Sequence, residues 1–380
     1  MINIQRLKLF IKLIGKNLAV LLIILFFPAL FYSFYKTLKP RFALLINQTL
    51  DQRAYYPTYA DKQFSIQLLN ELLYYPANYR SFIGWRSQKG NHKHTNVVGP
   101  YNARKSRGEA LDNSAWFFGG STMWGTGASD IETIPSHFNA LTNMPVYNFG
   151  EMGWSSRQSL NQLIDAIADD HHPSMVIFYD GVNDILSQCR SEIKLLPAHI
   201  RQKEIQNRMQ SLSIVIKNKI PEFILSPYIS IFNKFAINQP EDNVVNSNQF
   251  DCNTNQEKRR SIARYLVNNW RTAYALSKSE DFKFYAILQP TLFTTKTNSE
   301  YFVSSEVNLN SQLKIQYDTV YPLIIEEIER YCISDVSFCS SIINGSNWLD
   351  GTNNIFIDFC HINSLGNKVI AQRLKSLLKI

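Results

Sequence analysis

From residue 111 onward, short apolar runs alternate with amphipathic stretches. Ala115–Phe118 is apolar and ends in Gly119-Gly120, the pattern of a strand meeting a tight turn. Val146–Phe149 is a second short run of this kind. Leu160, Leu163, Ile164 and Ile167 recur at i, i+3, i+4 and i+7, which predicts a helix face, and Pro173 stops it. Met175–Tyr179 reads as a buried strand, Phe282–Leu288 as another ended by Pro290, and Ile355–Ile357 as a last short one. Val369, Ile370, Leu374 and Leu377 mark a terminal helix. Strands alternating with helices predict an α/β fold with a central parallel sheet, in which ligands collect at the carboxyl ends of the strands.

The amino-terminal pattern is different. Residues 1–16 form a basic segment, and the 19 residues Asn17 to Tyr35 carry no charge before Lys36. As a helix that run spans about 28 Å, close to the thickness of a bilayer's hydrocarbon core. The expectation is a transmembrane signal-anchor helix over 17–36. Pro28 is tolerated there, and Tyr32 and Tyr35 suit the headgroup region. A cleaved signal peptide is the alternative, but no A-x-A-like site follows. Four basic side chains precede the run and three follow it, so the positive-inside bias puts the amino terminus in the cytoplasm and the body outside, in the periplasm or at the cell surface. Residues 37–110 then read as a juxtamembrane segment, with a helical stretch near Phe64–Tyr75 and a polar stretch from Ser87 to Gly108. Residues 111–380 read as the catalytic domain, interrupted by an insertion at 190–257. Within the insertion, Ile214–Phe235 is rich in Ile, Phe and Tyr around Pro221 and Pro227. It reads as a helical excursion packed on the core, with a lid or substrate-binding insertion as the alternative.

Composition narrows the function classes. The chain of 380 residues is 45% hydrophobic and 18% charged, which excludes intrinsic disorder. Its net charge of +8 resides almost wholly in residues 1–41, where Arg6, Lys8, Lys12, Lys16, Lys36, Lys39 and Arg41 meet no acidic residue. The remaining body is nearly neutral and offers no electrostatic footprint for nucleic acid. Of five cysteines, Cys332 and Cys339 are spaced to bridge a short loop, and Cys189 and Cys252 to bridge a longer one, with Cys360 left over. Buried free thiols are an equal alternative. No C-x-x-C pair points to zinc or thioredoxin chemistry.

Four short motifs carry candidate chemistry. Phe118-Gly119-Gly120-Ser121-Thr122 follows a strand and sets a Ser at a strand-to-helix turn, where its hydroxyl stands above the sheet. It is not the G-x-S-x-G elbow, because Met123 stands two after Ser121. Asn148-Phe149-Gly150-Glu151-Met152-Gly153 ends the second strand, and Gly153 can offer an unobstructed backbone N–H. In Asp180-Gly181-Val182-Asn183-Asp184, Asn183 can donate to a developing oxyanion, while Asp184 reads as a helix cap. In Asp358-Phe359-Cys360-His361 the i, i+3 spacing lets the carboxylate fix the imidazole tautomer while the other ring nitrogen faces a nucleophile. The remaining histidines, including the His171-His172 pair, have no such partner in the sequence, and the H-x-H pair His92 and His94 lacks further metal ligands.

Taken together and in this order, the motifs resemble the four blocks of the SGNH hydrolases, also called the GDSL family. The resemblance covers about residues 111–378. It implies a flavodoxin-like three-layer α/β/α fold and a serine esterase needing neither metal nor organic cofactor. Ser121, His361 and Asp358 would be the catalytic residues, with the backbone of Ser121, the backbone of Gly153 and the side chain of Asn183 as oxyanion hole. One departure is that Gly120 stands where the family has Asp. The membrane anchor together with Gly-Gly-Ser-Thr and Asp-x-Cys-His is similar to members in bacterial envelope-polysaccharide systems. The expected substrate is an acylated glycan or other ester, and the expected reaction is removal of O-acetyl groups outside the cytoplasm. Transfer of the acyl group to a polysaccharide by the same serine, a non-catalytic membrane-tethered scaffold, and a lipase using 214–235 as a lid are the alternatives.

Overall fold

The computed structural model describes residues 4–45, 51–209, 250–297, 301 and 304–379. The chain divides into two units. The smaller comprises residues 1–50 and 201–244, and the larger residues 51–200 and 245–380.

In the smaller unit, helix α1 runs from Ile4 to Leu45 without a break at Pro28. The expected helix over 17–36 is therefore part of a longer one. Among the described residues, no helix is long and apolar enough to cross a membrane. The apolar excursion Ile214–Phe235 lies outside the described residues.

The larger unit is built on a five-stranded, wholly parallel sheet. A short antiparallel hairpin, β1 (Ala77–Arg80) and β2 (Gly84–Ser87), precedes it. The sheet strands are β3 (Ala115–Gly119), β4 (Val146–Asn148), β5 (Met175–Asp180), β6 (Lys283–Leu288) and β7 (Ile342–Asn344). Their spatial order is β4-β3-β5-β6-β7. Counted within the sheet this is 2-1-3-4-5, the flavodoxin-like order, which reverses direction beside β3 and leaves a crevice at the carboxyl ends there.

The strands are apolar on both faces because both faces are covered. Trp116, Phe118, Val176 and Phe178 point into one layer with Leu160 and Leu163 of α2 (Ser156–Ala168), Leu266 and Trp270 of the helix Gln256–Ser279, and Tyr317 and Tyr321 of the helix Ser304–Cys332. Phe117, Met175 and Ile177 point the other way, against Phe138 of the helix Ile134–Thr142 and Ile370 and Leu374 of the terminal helix Ser364–Leu378. The result is the expected three-layer sandwich.

Three sequence expectations change. Ile355–Ile357 is not a strand of the sheet. Its backbone pairs locally with the Asp358–His361 loop and the residues after it instead, Ile357 N donating to His361 O and Asn363 N to Ile355 O. Its apolar character reflects burial, of Ile355 and Phe356 in the core with Ile370 and Leu374 and of Ile357 against Tyr59 and Leu68. The fifth sheet strand is Ile342–Asn344. Ile164, expected on the buried face of α2, is 43% exposed, while Gln158, Ser159 and Gln162 are buried. Finally, residues 51–110 belong to the larger unit. They reach into it through buried polar side chains, Arg86 and Arg104 among them, both 2% exposed or less.

Both candidate disulfides are present, Cys189–Cys252 and Cys332–Cys339, and Cys360 is free and buried. Around the first, Asp251 N donates to Cys189 O, and Lys258 Nζ reaches both Arg190 O and Asp251 Oδ1 at 2.7 Å. The two ends of the chain segment 190–251 are thus tied to one another, with Cα atoms of the bridged pair 5.1 Å apart.

Candidate active site

The chain leaves β3 at Gly119 and turns at once into the single helical turn Ser121–Trp124, capped by Gly125 with φ +100°. No room exists for a side chain at position 120. A Cβ there would fall inside contact distance of Asn183 Nδ2 and 3.3 Å from Trp154 O. The absence of a side chain at Gly120 is therefore matched by the close approach of Asn183. The turn lifts Ser121 to the carboxyl end of β3, beside the reversal in strand order.

The Asp358–His361 loop meets it from 240 positions away. Ser121 Oγ lies 2.5 Å from His361 Nε2, and His361 Nδ1 lies 2.6 Å from Asp358 Oδ2. A carboxylate only accepts, so Nδ1 carries the proton and Nε2 is the acceptor for the serine O–H. Asp358 Oδ1 accepts from the backbone N–H of Cys360 at 3.0 Å and of His361 at 2.8 Å. Burial would push the Asp358 carboxyl up, but the charge and hydrogen bond of His361, the charge of Arg53 and the N–H of Cys360 outweigh it and hold it well below the usual carboxylate range. Cys360 Sγ lies 3.7 Å from His361 Nδ1. Burial first, then the charge of Asp358, push that thiol well up, so it stays protonated and is no rival nucleophile.

The other two blocks converge on the same turn. Asn183, in the helix Val182–Gln188, donates from Nδ2 to Trp154 O at 2.7 Å, next to Gly120. Gly153 precedes Trp154 and has φ +79°, a conformation that disfavours any residue with a Cβ. Asp184, expected to cap its own helix, holds the start of α2 instead. Its carboxylate accepts from Ser156 Oγ at 2.6 Å and from Ser156 N. His171, expected without a partner, meets the exposed carboxylate of Asp112 at 3.1 Å. It adjoins the amino ends of β3 and β5, away from the site. The rings of His92 and His94 pack on Tyr75 and Phe64.

Several side chains not singled out in the sequence hold this arrangement. Thr122 Oγ1 donates to Cys360 O at 3.1 Å, and Gln289 Nε2 donates to Thr122 Oγ1 at 2.9 Å, so the residue after Ser121 is bonded to the residue before His361. Arg86 donates from Nη1 to Phe149 O at 2.8 Å and stacks over the Trp154 ring, and Glu151 accepts from Ser87 N and Oγ at 2.7 Å. Trp85 Nε1 donates to Met152 O and Trp154 Nε1 to Trp85 O. The hairpin thereby braces the Gly150–Trp154 loop from both sides. The sequence signal for these was thin, a Thr after Ser121 and an isolated Trp85-Arg86-Ser87 in the segment read as juxtamembrane.

A model of the GDSL-like lipases and acylhydrolases matches residues 116–374, taking in Ser121, Gly153, Asn183, Asp358 and His361. The chain belongs to the GDSL-like lipase/acylhydrolase family. As a GDSL-like acylhydrolase it is a hydrolase of ester bonds. Likeness to solved structures is loose. A lipolytic G-D-S-L protein from Veillonella parvula has a TM-score of 0.36 and 10% identity, over 70% of this chain and 98% of that one. An acetyl xylan esterase from the rumen bacterium Butyrivibrio proteoclasticus has 0.35 and 12%, over 78% and 68%. An extracellular lipase from Streptomyces rimosus has 0.33 and 12%, over 70% and 100%. None of the curated proteins matches the chain.

Proposed function

We propose that this GDSL-like hydrolase removes short acyl groups, O-acetyl above all, from a glycan outside the cytoplasm, with Ser121 as nucleophile. The observation that carries the chemistry is the row Ser121–His361–Asp358, with oxygen, imidazole and carboxylate each within 2.6 Å of the next. Ser121 Oγ attacks the ester carbonyl as its proton passes to His361 Nε2. Asp358 stabilises the imidazolium. The carbonyl oxygen, now an anion, is met by the backbone N–H of Ser121, the backbone N–H of Gly153 and Asn183 Nδ2. Collapse expels the alcohol, protonated by His361, and leaves acyl-Ser121. Water, activated by the same imidazole, then releases the acid and restores the serine.

The role of Asn183 has a direct test. Asn183→Ala is expected to lower kcat on an acetyl ester by on the order of 10²–10³ with KM little changed. Gly120→Ala should produce a loss of the same order, because its methyl group displaces that amide. Wild-type turnover in both would remove Asn183 from the oxyanion site.

Compartment supports the glycan substrate. Two paired disulfides fit an oxidising environment. In α1, Leu18, Ile23, Phe27, Leu30, Phe31 and Phe34 are each more than half exposed, in a chain whose flanking charges are all basic. An exposed apolar surface of this extent between cations suits a lipid environment better than water. We infer that α1 attaches the hydrolase to a membrane through this apolar face. The test uses washed membranes from cells making the full chain or its Ser121→Ala variant, given an O-acetylated envelope glycan. Free acetate from the first alone is the expected result. Acetyl groups appearing on an added acceptor glycan would make the chain a transferase, and release of long acyl chains from membrane lipid would make it a lipase.

A further inference from the structure

Asp358 has a partner that the triad does not require. Arg53, in the turn Gln52–Tyr55 at the start of the larger unit, donates from Nη1 to Asp358 Oδ2 at 2.9 Å, the same oxygen that receives His361 Nδ1 at 2.6 Å. The rest of its guanidinium is held by Asp51. Nε lies 2.9 Å from Oδ1 and Nη2 2.7 Å from Oδ2, a bidentate fork. Arg53 and Asp358 are both about one-fifth exposed, so the contact is largely withdrawn from solvent.

We propose that Arg53 is a positioning residue of the triad: clamped by Asp51, it fixes the Asp358 carboxylate against His361 and, as a cation on the oxygen that His361 Nδ1 bonds, offsets part of that carboxylate's charge. The inference rests on the reading of Ser121, His361 and Asp358 as the ester-cleaving row. An unopposed carboxylate beside an imidazole draws a proton onto it, and a protonated base cannot activate Ser121. A guanidinium on that carboxylate offsets part of the attraction. Burial alone would lower Arg53, but its bonds to Asp51 and the charges of Asp358 and Asp51 outweigh this, so Arg53 remains a cation throughout. Among the described residues, the other titratable groups around the pair are the Cys360 thiol, Tyr59 and Tyr317, and burial pushes all three up, which leaves them neutral.

The experiment measures the rate at which a fluorophosphonate labels Ser121 in the full chain from about pH 5 to 9, a range that spans imidazole titration. Removing a neighbouring charge at this distance is expected to move the acid limb by about one pH unit. Arg53→Met should raise the limb's midpoint by that amount, a roughly tenfold loss of labelling on the acid side. Arg53→Lys, which keeps the charge, should leave the midpoint near wild type while lowering the plateau through the lost fork. Asp51→Asn, which removes the counter-charge from Arg53, should move the midpoint the opposite way. If Arg53→Met does not fold, the Asp51→Asn shift decides alone. An unmoved midpoint in the folded variants, even with a reduced plateau, would overturn the proposal and leave Arg53 a packing residue. Absence of labelling in the wild type at every pH would instead overturn the serine-hydrolase reading beneath it.

Discussion

Ser121→Ala is expected to abolish ester cleavage, lowering kcat by on the order of 10⁶, the loss found when one member of a nucleophile–base pair is removed. The hydroxyl is the only group deleted, and apart from its bond to His361 the surrounding contacts survive. The turn Ser121–Trp124 is held by backbone bonds, Gly125 N and Thr126 N both donating to Ser121 O at 3.0 Å. Circular dichroism and thermal unfolding should therefore match the wild type, and the remaining rate over water should be that of the oxyanion donors alone. Turnover within tenfold of wild type, in protein freed of contaminating esterase by a second purification tag, would take the nucleophile's role from Ser121.

Asp358→Asn should cost about 10⁴ in kcat, as expected when the group orienting the imidazole is lost. Four donors converge on this carboxylate: Cys360 N and His361 N on Oδ1, His361 Nδ1 and Arg53 Nη1 on Oδ2. An amide has one accepting oxygen, so whichever way it turns, its NH₂ confronts two of these donors. One orientation breaks the loop's own turn and the other presents a donor to His361 and favours the wrong tautomer. The measurement is kcat and KM on a small acetyl ester near neutral pH, with labelling of Ser121 by fluorophosphonate as a second readout. A variant that retains more than about a tenth of wild-type kcat would show that the carboxylate is dispensable and the triad reading misplaced.

The site was more legible in the sequence than the frame around it. Ser121, Gly153, Asp358 and His361 sit at turns, and Asn183 in the first turn of a short helix, where residue type is dictated by what a reactive group or a tight backbone needs, and each of these is a local event. Strand positions β3 to β6 were readable because burial on both faces leaves unbroken apolar runs. Strand β7 was not, being three residues long and half exposed beside the Cys332–Cys339 loop. Ile355–Ile357 looked like a strand because burial, not sheet pairing, makes a segment apolar. The helix Ser304–Cys332 was missed with Pro322 inside it. Long-range polar contacts left the least trace. Arg53 bonds to a carboxylate 305 positions away, and Thr122 to a carbonyl 238 away. Nothing in the periodicity of either neighbourhood marks such a partner, because one side chain of ordinary type makes the whole connection.

The Cys189–Cys252 bridge has a consequence for how this hydrolase can diversify. A covalent staple at the point where the intervening polypeptide departs and rejoins makes that stretch a detachable module in the evolutionary sense. Its length and composition can drift, or be exchanged wholesale for another insertion, while the helix bearing Asn183 keeps its place.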